Sequence, residues 1–192
     1  MKERYSGEVR LDKKQFHSLG EGKTIFVCAQ NDLFAEAVPI KYIRKILHHC
    51  NKFPNNKYFF QTKNPLKYFE LKHEIWFLNN PVLCTTIETN SAWFFEHSGG
   101  ATYNSRMIDI KGIKNRGCET HITIEPIMDF GLPNFAHDII RANPDQVNIG
   151  ADTGNNNLPE PSWRKVQKLI EKLEDAGIEV WQKNNLQRLK DK

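Results

Sequence analysis

Glu88, His121, Glu125 and Asp152 stand at or just past the ends of short apolar runs. A carboxylate or imidazole there can accept a proton, ligate a metal or orient a sugar hydroxyl. A second polar set occupies similar positions: Gln61, Lys63, Thr86, Thr123, Asn148, Gly150 and Lys183. These residues suit ligand binding, because amides, hydroxyls and ammonium groups can orient a polar molecule. The run His121-Ile122-Thr123-Ile124-Glu125 makes the case most clearly. Its alternation puts His121, Thr123 and Glu125 on one face of a strand and the two isoleucines on the other. Buried polar faces are costly unless they are paired or occupied.

The alternatives to chemistry are equally concrete. The carboxylates of Glu88 and Asp152 can accept loop amides, and Lys63 can pair with Glu88. Gly150-Ala151-Asp152-Thr153-Gly154 suits either close approach to a ligand or a tight turn. It lacks the lysine and spacing of a phosphate-binding loop, and no GxGxxG pattern is present. Cys28, Cys50, Cys84 and Cys118 are too widely spaced for a compact metal or redox motif. No metal ligand is therefore assigned. Lys63, Arg106, Lys111, Lys114 and Arg116 offer a basic face for a nucleic acid.

The elements that must carry these residues follow a β/α cadence. Apolar runs at 24–28, 58–62, 82–87, 121–124, 146–149 and 178–181 predict strands. Gly7 to Leu11 offers a seventh. Helices are expected after Pro39, after Asn64-Pro65, after Gly131-Leu132-Pro133 and from Pro161 to Gly177. A short helix after Asp32 and a helix, loop and helix over 90–116 complete the pattern, with Ser98 to Thr102 as the loop. Long crossovers predict parallel pairing. The expected α/β fold is an incomplete parallel β/α barrel of about six to seven strands, since a full eight-unit barrel needs about 250 residues. Residues 1–192 read as one domain, with 1–23 as an N-terminal edge segment and 184–192 as a polar tail.

Composition sets the outer limits. The 192 residues are 39% hydrophobic and 26% charged, with a net charge of +4 and a pI near 8.8. Contact with nucleic acid is permitted but not demanded. No apolar run approaches the roughly 20 residues of a membrane span, and the polar start gives no secretory signal. A cytoplasmic location and no membrane partner are expected.

The ordered strand exits resemble the radical-SAM-like phage Gp37/Gp68 family. The resembling segments are Ile25 to Cys28 with Asp32-Leu33-Phe34, Gln61 to Pro65, Thr86 to Thr89, Ile124-Glu125-Pro126, Gly150 to Gly154 and Val180 to Lys183. The resemblance implies an incomplete barrel whose upper rim holds S-adenosylmethionine and substrate, in a bacterial or phage-infected cell. It also implies three closely spaced cysteines holding an iron–sulfur cluster, which this sequence lacks. The expected function is therefore a degenerate or repurposed barrel that binds a small molecule or nucleic acid component. The alternatives are one half of a split radical enzyme whose partner supplies the cluster, or a metal-dependent or acid–base enzyme using the rim carboxylates and His121. An incomplete barrel exposes a strand edge near Val9 or Ile25. A second copy or a protein partner is expected to cover it.

Overall fold

The computed structural model describes residues 8–92, 94, 100–154 and 156–190. Six strands form one parallel sheet: β1 (Thr24–Phe26), β2 (Lys57–Thr62), β3 (Val82–Thr86), β4 (Glu119–Ile124), β5 (Gln146–Ile149) and β6 (Glu179–Gln182). Each strand pairs with the next in sequence, so the spatial order is β1-β2-β3-β4-β5-β6. The sheet curls into an open half-barrel, and among the described residues β1 and β6 are its two edge strands.

The connecting helices are α1 (Ile40–Asn51), α2 (Leu66–Glu70), α3 (Lys72–Trp76), α4 (Tyr103–Lys114), α5 (Leu132–Ala142) and α6 (Trp163–Asp175). Their starts follow local chemistry. Pro39 precedes α1, the Thr102 hydroxyl accepts the Ser105 amide at α4, and the Ser162 hydroxyl accepts the Lys165 amide at α6. Gly177 closes the α6 segment at a φ of 80°, a region glycine occupies freely.

Strand alternation divides the side chains cleanly. Tyr58, Phe60, Leu83, Ile122, Ile124, Val147 and Ile149 are buried in the apolar core that also holds Leu47, Phe135 and Leu169 from the helices. Burying one such side chain contributes roughly 1.5–3 kcal/mol. The opposite, concave face carries Gln61, Cys84, Thr86, His121, Thr123, Gln146 and Asn148.

Several expectations change at the margins. Residues 8–11 form no strand, and Gly7 lies outside the described residues. Phe16 packs on His49 and the His17 carbonyl contacts that ring, which ties the N-terminal segment to α1. Among the described residues, the edge at Ile25 has β2 as its strand neighbour on one side only. β1 stops at Phe26, and Cys28 turns with a φ of 55°. Asp32 caps a turn instead of a helix, accepting the Phe34 amide at 3.0 Å and the Lys63 amide at 2.8 Å. The expected loop at 98–102 is described only from Gly100 onward. Asn184 to Leu189, read as the start of a polar tail, form a 3-10 helix that buries Leu186 and Leu189.

Candidate functional site

Glu88 leaves β3 fully buried and enters an ion network. Its Oε1 meets Lys63 Nζ at 2.5 Å, and its Oε2 accepts Arg106 Nη1 at 3.1 Å. Arg106 is also fully buried; it donates through Nε to the Ala101 carbonyl and through Nη1 to the Thr86 carbonyl, both at 2.8 Å. Burial pushes the Arg106 pKa down, while the Glu88 carboxylate pulls it back up. Such a pair holds together because either charge alone would be strongly unfavourable there. A Cβ on Gly100 would lie 2.5 Å from Arg106 Nη2, so the chain crosses the guanidinium closely only without a side chain.

Glu125 is the corresponding group after β4. It pairs with Lys183 Nζ, which follows β6, and accepts Asn185 Nδ2 at 2.6 Å. Asn185 also donates to the Ala151 carbonyl at 2.9 Å, and its Oδ1 accepts the Ala151 amide at 3.3 Å. Gly150 makes room for this arrangement. A Cβ there would stand 2.6 Å from Glu125 Oε1 and 2.9 Å from Asn185 Oδ1.

Asp152 turns back on its own loop. Its carboxylate accepts the amides of Gly154 at 2.9 Å and Asn156 at 2.7 Å, and the Asn156 side chain at 2.7 Å. These amides hold its pKa below the usual carboxylate range. Arg188 donates to the Asp152 carbonyl and pairs with Glu160. Asp152, Glu160 and Arg188 line an open cleft of about 480 Å³ together with Thr153, Asn157, Leu158, Asn184 and Asn185.

His121 lies lower on the concave face. It registers with Cys84 and Gln146, two residues before the row Thr86, Thr123 and Asn148. Two residues of strand are about 7 Å. Its Nε2 meets Glu119 Oε1 at 3.3 Å, Glu119 pairs with Lys57 at 2.6 Å, and the ring packs edge-on to Phe59. Nδ1 is buried without a hydrogen-bond partner among the described residues. Burial lowers the His121 pKa, and Glu119 opposes that shift in part.

Between these anchors lies a polar floor. Gln61 Nε2 donates to Thr86 Oγ1 at 2.9 Å, and Thr123 Oγ1 donates to Gln61 Oε1 at 3.5 Å. The Cys84 thiol contacts Thr123 Oγ1 at 3.3 Å, and Gln146 donates to Asn148 Oδ1 at 2.6 Å. Phe26 is exposed on β1 beside Phe59, and Trp181 is exposed on β6 in register with Asn148.

The structure thus gathers Gln61, Thr86 and Thr123 into one network, and joins Lys63 to Glu88 and Lys183 to Glu125. No hydrogen bond or ion pair links any two of Glu88, His121, Glu125 and Asp152 among the described residues. The five basic residues do not share one face: Arg106 is buried with Glu88, Lys114 pairs with Asp145 at 2.5 Å, and Arg116 covers the Phe69 ring. Sequence reasoning assigned no rim role to Asn185, Glu119, Arg188, Phe26 or Trp181. Trp181 carried a readable signal, since it breaks the apolar phase of Ile178 and Val180.

The four thiols sit on separate segments. Burial raises the pKa of each, pushing Cys50 and Cys84 up to about 12. No three His, Cys, Asp or Glu side chains converge on a metal position among the described residues. The described donor set does not fit an iron–sulfur cluster.

No family model and no curated protein sequence matches the chain. Among solved structures, a mutant of spore photoproduct lyase carrying the dinucleoside spore photoproduct matches with a TM-score of 0.58 at 11% identity. The match covers 86% of this chain and 63% of that one. A second structure of the same mutant gives 0.59 at 10% identity over 86% and 62%, and a different mutant gives 0.55 at 9% over the same shares. The fold is an open, six-stranded parallel half-barrel that resembles the radical-SAM-like fold. The chain spans under two thirds of the length of the lyase chains it matches, and identities this low show the fold alone. No described helix is long and apolar enough to cross a membrane.

Proposed function

We propose that the concave face and its C-terminal rim bind a small molecule or nucleic acid component carrying a planar ring and an anionic group. The carrying observation is the polar floor of Gln61, Thr86, Thr123 and Asn148, with exposed Trp181 in register beside Asn148. Amides and hydroxyls read ring edges, and aromatic side chains stack on ring faces. Lys63 and Lys183 give the rim cationic groups that remain part-exposed beside their carboxylates. Spore photoproduct lyase with its dinucleoside is consistent with such a ligand class. S-adenosylmethionine also suits these donors, through its adenine, ribose hydroxyls and carboxylate. The strand-exit segments favour membership of the phage Gp37/Gp68 family within this fold.

The carboxylates favour positioning over acid–base work in this reading. Glu88, Glu125 and Asp152 already hold the loops through specific partners. The open edges of β1 and β6 favour a partner strand, either from a second copy or from another protein that completes a split enzyme.

Tryptophan fluorescence titration with S-adenosylmethionine, mononucleotides and a single-stranded oligonucleotide tests the proposal. Trp181→Ala should weaken binding of the ring-bearing ligand by about 5- to 150-fold. Lys63→Ala should reduce the salt dependence of anion binding. Failure of every ligand to bind at millimolar concentration, or unchanged binding by Trp181→Ala, would overturn the reading. Native mass spectrometry of protein purified anaerobically separates the solitary chain from a partnered one.

A further inference from the structure

A second surface lies on the helical side of the sheet, away from the concave face. Lys72, His73, Trp76, Phe77 and Arg116 enclose an open groove of about 290 Å³ between α3 and the turn after α4. That volume sits at the lower end of the roughly 300–1,000 Å³ range of small-molecule pockets. It suits one or two inserted side chains. Phe77 is 76% exposed, the most exposed large hydrophobic among the described residues. Trp76 next to it is also exposed. Large apolar side chains presented together mark binding surfaces more often than solvated ones.

The charges around the groove have one sign. Glu74 belongs to the same helix, but its carboxylate accepts Arg44 Nε from α1 at 2.7 Å. Glu70 is engaged by Lys67 at 2.8 Å. Lys72 and His73 are exposed and have no ion pair to a carboxylate among the described residues. Arg116 lies over the Phe69 ring, with its centre 4.7 Å away, and donates to the Gly112 carbonyl at 2.7 Å. Its guanidinium is thereby fixed at the groove wall. Trp, Arg and an exposed Phe in one small depression are the residue types that dominate protein interfaces.

We infer that this groove docks an acidic segment of a protein partner, with one apolar or aromatic side chain inserted beside Phe77 and Trp76. Carboxylates of the segment meet Lys72, His73 and Arg116. A nucleic acid is disfavoured because one lysine and one arginine around a small apolar depression do not make the extended basic track that a phosphate backbone requires.

The test uses the whole protein as bait for a library of random dodecapeptides displayed on phage. Phe77→Ala and Lys72→Glu serve as parallel baits. Both positions are exposed, so an unchanged urea midpoint confirms that each variant is folded. The expected result is enrichment of peptides that combine Asp or Glu with an aromatic or aliphatic residue. Synthetic versions should bind at least about tenfold more weakly to Phe77→Ala. They should bind more weakly to Lys72→Glu and lose affinity as salt rises. Equal recovery on wild-type and Phe77→Ala baits would overturn the inference, as would enrichment of peptides without net negative charge. Displacement of the peptides by a single-stranded oligonucleotide at lower concentration would reassign the groove to nucleic acid.

Discussion

Gly150→Ala probes the rim with a single methyl group. The added Cβ would meet Glu125 Oε1 at 2.6 Å and Asn185 Oδ1 at 2.9 Å. Neither oxygen can retreat freely. Glu125 is held by Lys183 and Asn185, and Asn185 is tied twice to the Ala151 backbone. Overpacking of this kind typically costs about 1–3 kcal/mol. Replacing glycine also narrows the unfolded ensemble, which returns about 0.4–1 kcal/mol where the backbone is compatible. Gly150 does not occupy the positive-φ region, so this return applies. The net expectation is a loss of about 0.5–2 kcal/mol, or roughly 0.3–1 M in urea midpoint. The same substitution made in a Glu125→Ala background should be clearly milder, because the closest obstacle is gone. A double-mutant cycle by urea unfolding measures that difference. If Gly150→Ala were equally destabilising in both backgrounds, or stabilising alone, the packing account of the rim would fail.

Arg106→Met leaves the buried Glu88 carboxylate with Lys63 alone and should destabilise by about 3–5 kcal/mol; Arg106→Met with Glu88→Met should recover part of that loss in urea unfolding. A smaller loss in the double variant than in the single one is the decisive comparison. His121 should titrate below its ordinary value of 6.5 in an NMR pH series, because burial disfavours the imidazolium. The linked stability is fully present above 6.5 and is lost as pH falls from there through the folded-state pKa, since the unfolded chain binds the proton first. A His121 titration at or above 6.5 would contradict its placement. Iodoacetamide applied to native protein should modify Cys28 and Cys118 well before Cys50 and Cys84, whose buried thiols are pushed up to about 12. Peptide mass spectrometry over a time course reads the order.

The sheet was legible because each buried strand has a compact apolar run and each crossover a helical length. Ile122 and Ile124 enter the helical core while His121 and Thr123 face the concavity, as alternation requires. The edges were less legible. Three residues suffice for β1, so the apolar Val27 and Cys28 suggested a longer strand than the turn at Cys28 allows. Val9 lies in a stretch with strand-like composition, yet the segment that follows is held by His49 on α1. The 3-10 helix after β6 was hidden by its polar residues, because only Leu186 and Leu189 signal burial at a spacing of three.

The rim residues were legible as a set, but their pairings were not. Strand alternation places Gln61, Thr86 and Thr123 on one face; it says nothing about the amide orientation that joins Gln61 to both hydroxyls. The Lys63 pairing with Glu88 followed from neighbouring strand exits, whereas Arg106 arrived from a helix, 18 residues further along the chain, in a region with weak periodicity. This distinction bears on function. A carboxylate enclosed by an arginine and a lysine is a fixed anchor for the segment above it, because breaking the buried pair leaves an uncompensated charge. Glu88 ties the β3 exit to the β2 exit through Lys63, and Glu125 ties the β4 exit to the segment after β6 through Lys183. In the proposed reading, the polar floor beside them offers a ligand the part-exposed Gln61 and the exposed ring of Trp181.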